Sequence, residues 1–266
     1  MQNLLNKLTD LLLATTANAL TRVLLLWLLA PILWMQSRQV RKVTVRLPEA
    51  QGPRLGESGC GPVITVLIAG DSGAAGVGVA SQDQGLCGQI ALQLGMYRTV
   101  RWQSMAVSGL DSPGLVKLFL DVPKSKFDVV ILSVGVNDAT ALRSPEQWLK
   151  WQHRLAELVQ ERFDPQLLIH SAMPPMRGFT SLPQPLRWFM GRWTTEMNRC
   201  LAQCLGVESN RVMTLPFVGD IRPCLAADGF HPGEHGYRVW ADAFLHRISQ
   251  FDDRVRSRTD DSLLNS

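Results

Sequence analysis

"VLIAGDSGAAGVG" occupies residues 66–78. An apolar run breaks off at Gly70-Asp71-Ser72 and then turns glycine-rich. A short, continuous apolar run of this kind reads as a strand buried on both faces, as in parallel sheets. Ligands of open parallel sheets bind beyond the carboxyl ends of the strands, so Ser72 stands where chemistry is expected. Three readings of the turn compete. A dinucleotide loop needs a third glycine, but "GVGVAS" from Gly76 ends in serine, and no acid lies between Asp83 and Asp111. A Walker loop needs Gly-Lys-Ser/Thr, and after the turn no lysine occurs before Lys117. The third reading is a nucleophilic serine, although Gly-Asp-Ser-Gly-Ala is not the Gly-x-Ser-x-Gly elbow.

The rest of the chain alternates. "VITVLIA" (63–69), "VRWQSMAV" (100–107), "FDVVILSV" (127–134), "QLLIHSA" (166–172) and "RVMTLPF" (211–217) have the character of strands. Between and after them, residues 84–94, 112–120, 144–163, 192–205 and 233–251 have helical spacing, with Ser144 placed to cap the third helix. Strand then helix, five times over, predicts an α/β fold: a five-stranded parallel sheet with helices on both faces.

A chain of 266 residues suits one such domain plus an appendage. The net charge of +4 is mild, and part of it sits in Arg38, Arg41, Lys42 and Arg46 beside the most apolar segment, which argues against a nucleic-acid partner. Five cysteines at irregular spacing make no disulfide framework, and Cys200 and Cys204 lack the second pair that a zinc site wants. Buried thiols in a reducing compartment are the better reading.

Residues 1–47 form an apolar, amphipathic segment. Leu4, Leu8, Leu11 and Leu12 recur at helical spacing, and "VLLLWLLAPILWM" (23–35) carries no charge. Thirteen helical residues reach about 20 Å, short of the roughly 30 Å hydrocarbon core. The segment 11–35 therefore reads as a helix that lies on or marginally spans a membrane surface, with packing on the domain as the alternative. If the segment spans, the excess of cations after it leaves the domain on the cytoplasmic side. Residues 48–61, rich in Gly and Pro, read as a linker, 62–251 as the folded domain, and 252–266 as a disordered polar tail.

A nucleophilic serine needs a base, an orienting acid and an oxyanion hole. Of the five histidines, His153 and His246 lie in amphipathic helices and His170 in a strand, whereas His231 stands in "ADGFHPGEHG" with Asp228 three residues before it. In a tight turn that spacing lets a carboxylate meet Nδ1 and leaves Nε2 free. Asn137 follows the strongest strand in "SVGVND", where its amide suits an oxyanion or, more blandly, it caps a helix. Gly109 follows the second strand and offers a backbone N–H at the same edge.

The order Gly70-Asp71-Ser72, Gly109, Gly135-x-Asn137-Asp138 and Asp228-x-x-His231-Pro232 resembles the SGNH (GDSL-type) hydrolase superfamily, in its bacterial esterase form. The resemblance covers about residues 62–251. It implies a three-layer, flavodoxin-like α/β/α fold and an ester hydrolase working through an acyl-enzyme. Ser72 would be the nucleophile, His231 the base and Asp228 its orienting acid. Ser72 and Gly109 N–H groups and the Asn137 amide would form the oxyanion hole. No metal or organic cofactor is implied. One departure is Ser108, which precedes Gly109 where the family usually has asparagine. The apolar stretch 174–193 follows the fourth strand, so Phe179, Leu182, Trp188 and Phe189 are candidates for an acyl pocket. The expected substrate is a lipid-like or short-chain carboxylic ester. The alternatives are a carbohydrate O-acetylesterase of the same fold and a non-catalytic flavodoxin-like binding module.

Overall fold

The computed structural model describes residues 19–205, 210–215 and 217–264. The leucine pattern before residue 19 lies outside them. The elements in chain order are α1 (Ala19–Val43), β1 (Leu55–Ser58), β2 (Val63–Gly70), α2 (Leu86–Leu94), β3 (Thr99–Ala106), α3 (Ser112–Asp121) and β4 (Val129–Ser133). There follow α4 (Val136–Thr140), α5 (Pro145–Phe163), β5 (Leu167–Ser171), α6 (Leu186–Leu205), β6 (Arg211–Thr214) and α7 (Glu234–Leu264).

The sheet runs β1-β3-β2-β4-β5-β6. Strands β2 to β6 are mutually parallel, and β1 pairs antiparallel with β3 from Leu55↔Gln103 to Ser58↔Val100. The sheet is therefore mixed and six-stranded, where the sequence pattern implied five parallel strands. The extra strand lies inside the stretch read as a linker. It was invisible to periodicity because it has no alternating apolar face: Gly56 instead lies under the Trp102 ring. Counted alone, the parallel strands take the order 2-1-3-4-5, the flavodoxin-like order with its switch point between the first and third. Those two are β2 and β4, and residues 71–78 leave the sheet at that crevice.

Period-two alternation divides β2 between two cores. Ile64, Val66 and Ile68 join a cluster with Leu86 and Ile90 of α2, Met197 and Leu201 of α6, and Tyr237 and Phe244 of α7. Leu67 and Ala69 join Leu115 and Phe119 of α3 and Leu155, Val159 and Phe163 of α5. These are the three layers. The Ser144 cap forms as expected, and Gln147 completes a capping box with it.

Helix α1 contains the apolar run 23–35 but does not stand apart. Leu33 and Val40 pack against the core, Gln36 donates to Gln184 O at 2.7 Å, and its Oε1 accepts from Leu186 N at 3.1 Å. Its other face exposes Leu28, Ile32, Trp34 and Met35. Among the described residues no helix is long and apolar enough to cross a membrane. At the other end α7 continues through residues 252–264, which the charge pattern reads as a disordered tail. Once a helix is anchored, adding a residue costs little, so the helix outlasts the apolar pattern that anchors it.

Candidate active site

At the end of β2, Asp71 N donates to Ser133 O of β4 at 3.0 Å, and Val107 N of the loop after β3 donates to Gly70 O at 3.2 Å. The carboxyl ends of β2, β3 and β4 are thus joined where Ser72 emerges. Residues 71–77 close into a helical turn: Ala75 N donates to Asp71 O and Val77 N to Ser72 O. The glycine-rich sequence after Ser72 is the condition for close approach by other elements. Gly78 has φ +107°, and a Cβ there would meet Pro232 O at 2.2 Å, so only glycine lets the serine loop touch the histidine loop.

Helix α7 fastens to the serine loop and to the end of β5. Tyr237 Oη donates to Val77 O at 2.7 Å, and Trp240 Nε1 donates to Ser171 Oγ at 3.1 Å. Just before the helix, Ala226 N donates to His231 O at 2.7 Å, closing the turn that carries Asp228 and His231. Asp228 Oδ1 accepts from the N–H groups of Phe230 and His231, each at 3.0 Å. Its Oδ2 meets His231 Nδ1 at 2.6 Å, and His231 Nε2 lies 3.0 Å from Ser72 Oγ. The Asp228 side chain is fully buried, while that of His231 is one-fifth exposed, at 20%. Burial alone would raise the Asp228 carboxyl. The hydrogen bonds from His231 and Phe230 outweigh it and hold the group below its ordinary value, so it is ionised where it faces the imidazole.

The other two site loops meet beside this line. Asn137, in the first turn of α4, donates through Nδ2 to Leu110 O at 2.8 Å. Gly109 has φ +88° and open space around it. Among the described residues, neither the Ser72 nor the Gly109 N–H has a protein acceptor. Asp138, the next residue, is buried. It accepts from Ser112 N and Oγ at 3.0 and 2.8 Å and from Arg143 Nε at 2.8 Å, fastening α4 to the start of α3.

A cavity of about 50 Å3 adjoins Ser72 and His231. Phe179 lines it, as expected from the sequence, together with Val136, Met173, Phe217, Ile221 and Trp240. Leu182, Trp188 and Phe189 do not. From Leu186 onward the apolar stretch is helix α6, which turns Trp188 and Phe189 elsewhere. Leu182 is buried in the core, Phe189 stacks on Trp193 at 5.8 Å, and Trp188 lies under the Arg192 guanidinium. Their places are taken by residues after β6 and on α7. Phe230, beside His231 in the sequence, was the one available signal for this wall.

Residues 68–239 match the model of the GDSL-like lipase/acylhydrolase family. The chain belongs to this family. No curated protein matches the sequence. A lipase from a goat rumen metagenome superposes with a TM-score of 0.55 at 17% identity, covering 69% of this chain and 97% of its own. A lipolytic G-D-S-L family protein from Veillonella parvula gives 0.54 at 18% identity, with 68% and 96% covered. A variant of an acetyl-xylooligosaccharide esterase from Geobacillus gives 0.51 at 19% identity, with 71% and 95% covered. At these identities the likeness carries the fold. Membership of the GDSL-like family makes the protein an ester-bond hydrolase acting on a small-molecule ester, which does not favour the binding-module alternative.

Proposed function

We propose that the protein is a serine esterase that hydrolyses carboxylic esters of short acyl chains through an acyl-enzyme, with Ser72, His231 and Asp228 as its triad. The observation that carries this reading is the unbroken line from Asp228 Oδ2 through His231 to Ser72 Oγ, with steps of 2.6 and 3.0 Å. Ser72 Oγ attacks the acyl carbon as its proton passes to His231 Nε2. The oxyanion is received by the Ser72 and Gly109 N–H groups and by the Asn137 amide, whose second N–H is not needed for Leu110. On collapse, His231 returns the proton to the leaving alkoxide. Water then attacks the acyl-enzyme with His231 again as base, releasing the acid and free Ser72. Asp228 holds the imidazole tautomer and stabilises the imidazolium.

The small cavity and its apolar lining support a short acyl chain. The carbohydrate O-acetylesterase alternative gains nothing from its structural neighbour beyond a shared fold. The outer face of α1 supports contact with a membrane surface: exposed Leu28, Ile32, Trp34 and Met35 are followed by Arg38, Arg41 and Lys42. Hydrolysis of p-nitrophenyl esters from acetate to palmitate, wild type beside Ser72→Ala, tests the reading. We expect serine-dependent turnover greatest on the short esters and reduced by several orders of magnitude in the variant. A Ser72→Ala enzyme as active as wild type would sink the mechanism.

A further inference from the structure

The peptide just before the one that carries the Gly109 N–H is held by a residue far from it in sequence. Between α1 and β1 the chain passes over both the serine loop and the loop after β3. Glu49 Oε1 accepts from Ser108 N at 2.6 Å, and its Oε2 pairs with Arg54 at 2.5 Å. The next residue, Ala50, is buried, and its carbonyl accepts from Gln82 Nε2 at 3.1 Å, which also reaches Ala75 O at 3.1 Å in the serine loop. Gln51 continues the strap, donating to Ala80 O at 3.0 Å and accepting from Gln82 N at 2.8 Å.

The loop 107–110 has three anchors. Val107 N is tied to Gly70 O, Leu110 O to Asn137, and Ser108 N to Glu49. A Cβ at Gly109 would meet nothing within 4 Å, and its φ of +88° lies in a region that glycine enters without cost. A carboxylate accepting from Ser108 N holds the Val107–Ser108 peptide with a charge-assisted bond. Leu110 N donates to Val107 O at 3.2 Å across the turn, so the Ser108–Gly109 peptide hangs between these two fixed points. A bare carboxylate so close would also repel an oxyanion. The Arg54 guanidinium on its other oxygen offsets that charge.

We propose that Glu49 is a positioning residue for the oxyanion hole, fixing the Val107–Ser108 peptide and so limiting how far the next peptide, which carries the Gly109 N–H, can turn from the developing charge. This rests on the assignment of Gly109 to the oxyanion hole. In the intact chain, Glu49→Ala should lower kcat on p-nitrophenyl acetate on the order of ten-fold, less than the loss of a whole donor. KM should stay within two-fold, and Tm should be nearly unchanged because the Ala50 and Gln51 main-chain bonds remain. Inactivation by a serine-reactive phosphonate, whose adduct fills the same hole, should slow in parallel. Glu49→Gln keeps a carbonyl acceptor and should recover most of the loss. Wild-type kcat in Glu49→Ala, with Ser72→Ala and Asn137→Ala both impaired, would overturn the proposal and leave the mechanism standing. A loss that follows a large fall in Tm and is not recovered by Glu49→Gln would reduce Glu49 to a structural part, and so also overturn it. Undiminished activity in Ser72→Ala would overturn the mechanism and the proposal together.

Discussion

At the scale of single residues, the proposed mechanism requires the His231 proton to be on the right nitrogen. The Asp228 carboxylate, with one oxygen on two backbone N–H groups and the other on Nδ1, dictates that Nδ1 carries the hydrogen and Nε2 is bare toward Ser72. Asp228→Asn would keep the shape but present an amide N–H to Nδ1 and turn the bare nitrogen the wrong way. We expect kcat to fall on the order of 10³–10⁴-fold with little change in KM or Tm, measured on p-nitrophenyl acetate beside thermal melts. A variant within ten-fold of wild type would show that the tautomer is held by something else. Ser72, Asp228 and His231 were legible in the sequence because each lies in a short motif at a strand end or a tight turn, where local spacing nearly determines geometry. Asp71 was legible only by half. It is a turn residue, its Oδ1 accepting from Gly73 N at 3.1 Å, but it is also buried in the cavity wall, and burial pushes its carboxyl up to about 7. Nothing in a one-dimensional motif announces that.

At the scale of elements, the strands of the parallel sheet and the helices between them could be read from the sequence because apolar periodicity records burial. The reading failed where burial is not periodic. Strand β1 has one pairing edge and a glycine under Trp102, and so resembles a linker. Helix α6 begins at Leu186, just after Pro183 and Pro185, so the apolar stretch 174–193 mixes loop and helix, and its place after the fourth strand alone makes Leu182, Trp188 and Phe189 read as pocket candidates. The true wall comes from the segment between β6 and α7, where Phe217 and Ile221 are buried without forming regular structure. This wall should set the acyl length. Ile221→Ala removes three carbons from the cavity lining and, at a stability cost of about 2–4 kcal/mol, should raise kcat/KM for butyrate and hexanoate esters relative to acetate. The ratio of the two rate constants, wild type against variant, is the measurement. An unchanged ratio in a folded variant would mean that the acyl chain lies elsewhere.

At the scale of the molecule, two buried titratable groups act on stability in opposite directions. His170 of β5 is enclosed between Gln152, at 3.2 Å from Nδ1, and Arg211, whose Nε donates to Nε2 at 3.2 Å. Burial and then the Arg211 charge push its pKa down to about 3. Gln152 also donates to Ser112 Oγ at 3.1 Å, and Ser112 in turn to Asp138, so this polar chain crosses from β5 to the loops of the site. The native state holds fewer protons on His170 than the unfolded chain does between pH 3 and 6.5, so stability falls as pH drops through that range. Asp71 has the opposite sign. Its native pKa of about 7 exceeds the ordinary 3.8, the native state holds more protons, and stability falls as pH rises through that window. Between about pH 4 and 6.5 the two slopes, each at most about 1.4 kcal/mol per pH unit, oppose each other. Wild-type stability should therefore change little there. Asp71→Asn should unmask the His170 slope and lose stability on acidification. His170→Gln, although less stable throughout, should unmask the Asp71 slope and gain stability on acidification. Urea melts of the three proteins at half-unit steps from pH 4 to 7 would read both slopes, and parallel profiles for all three would show that neither group titrates differently in the folded and unfolded states.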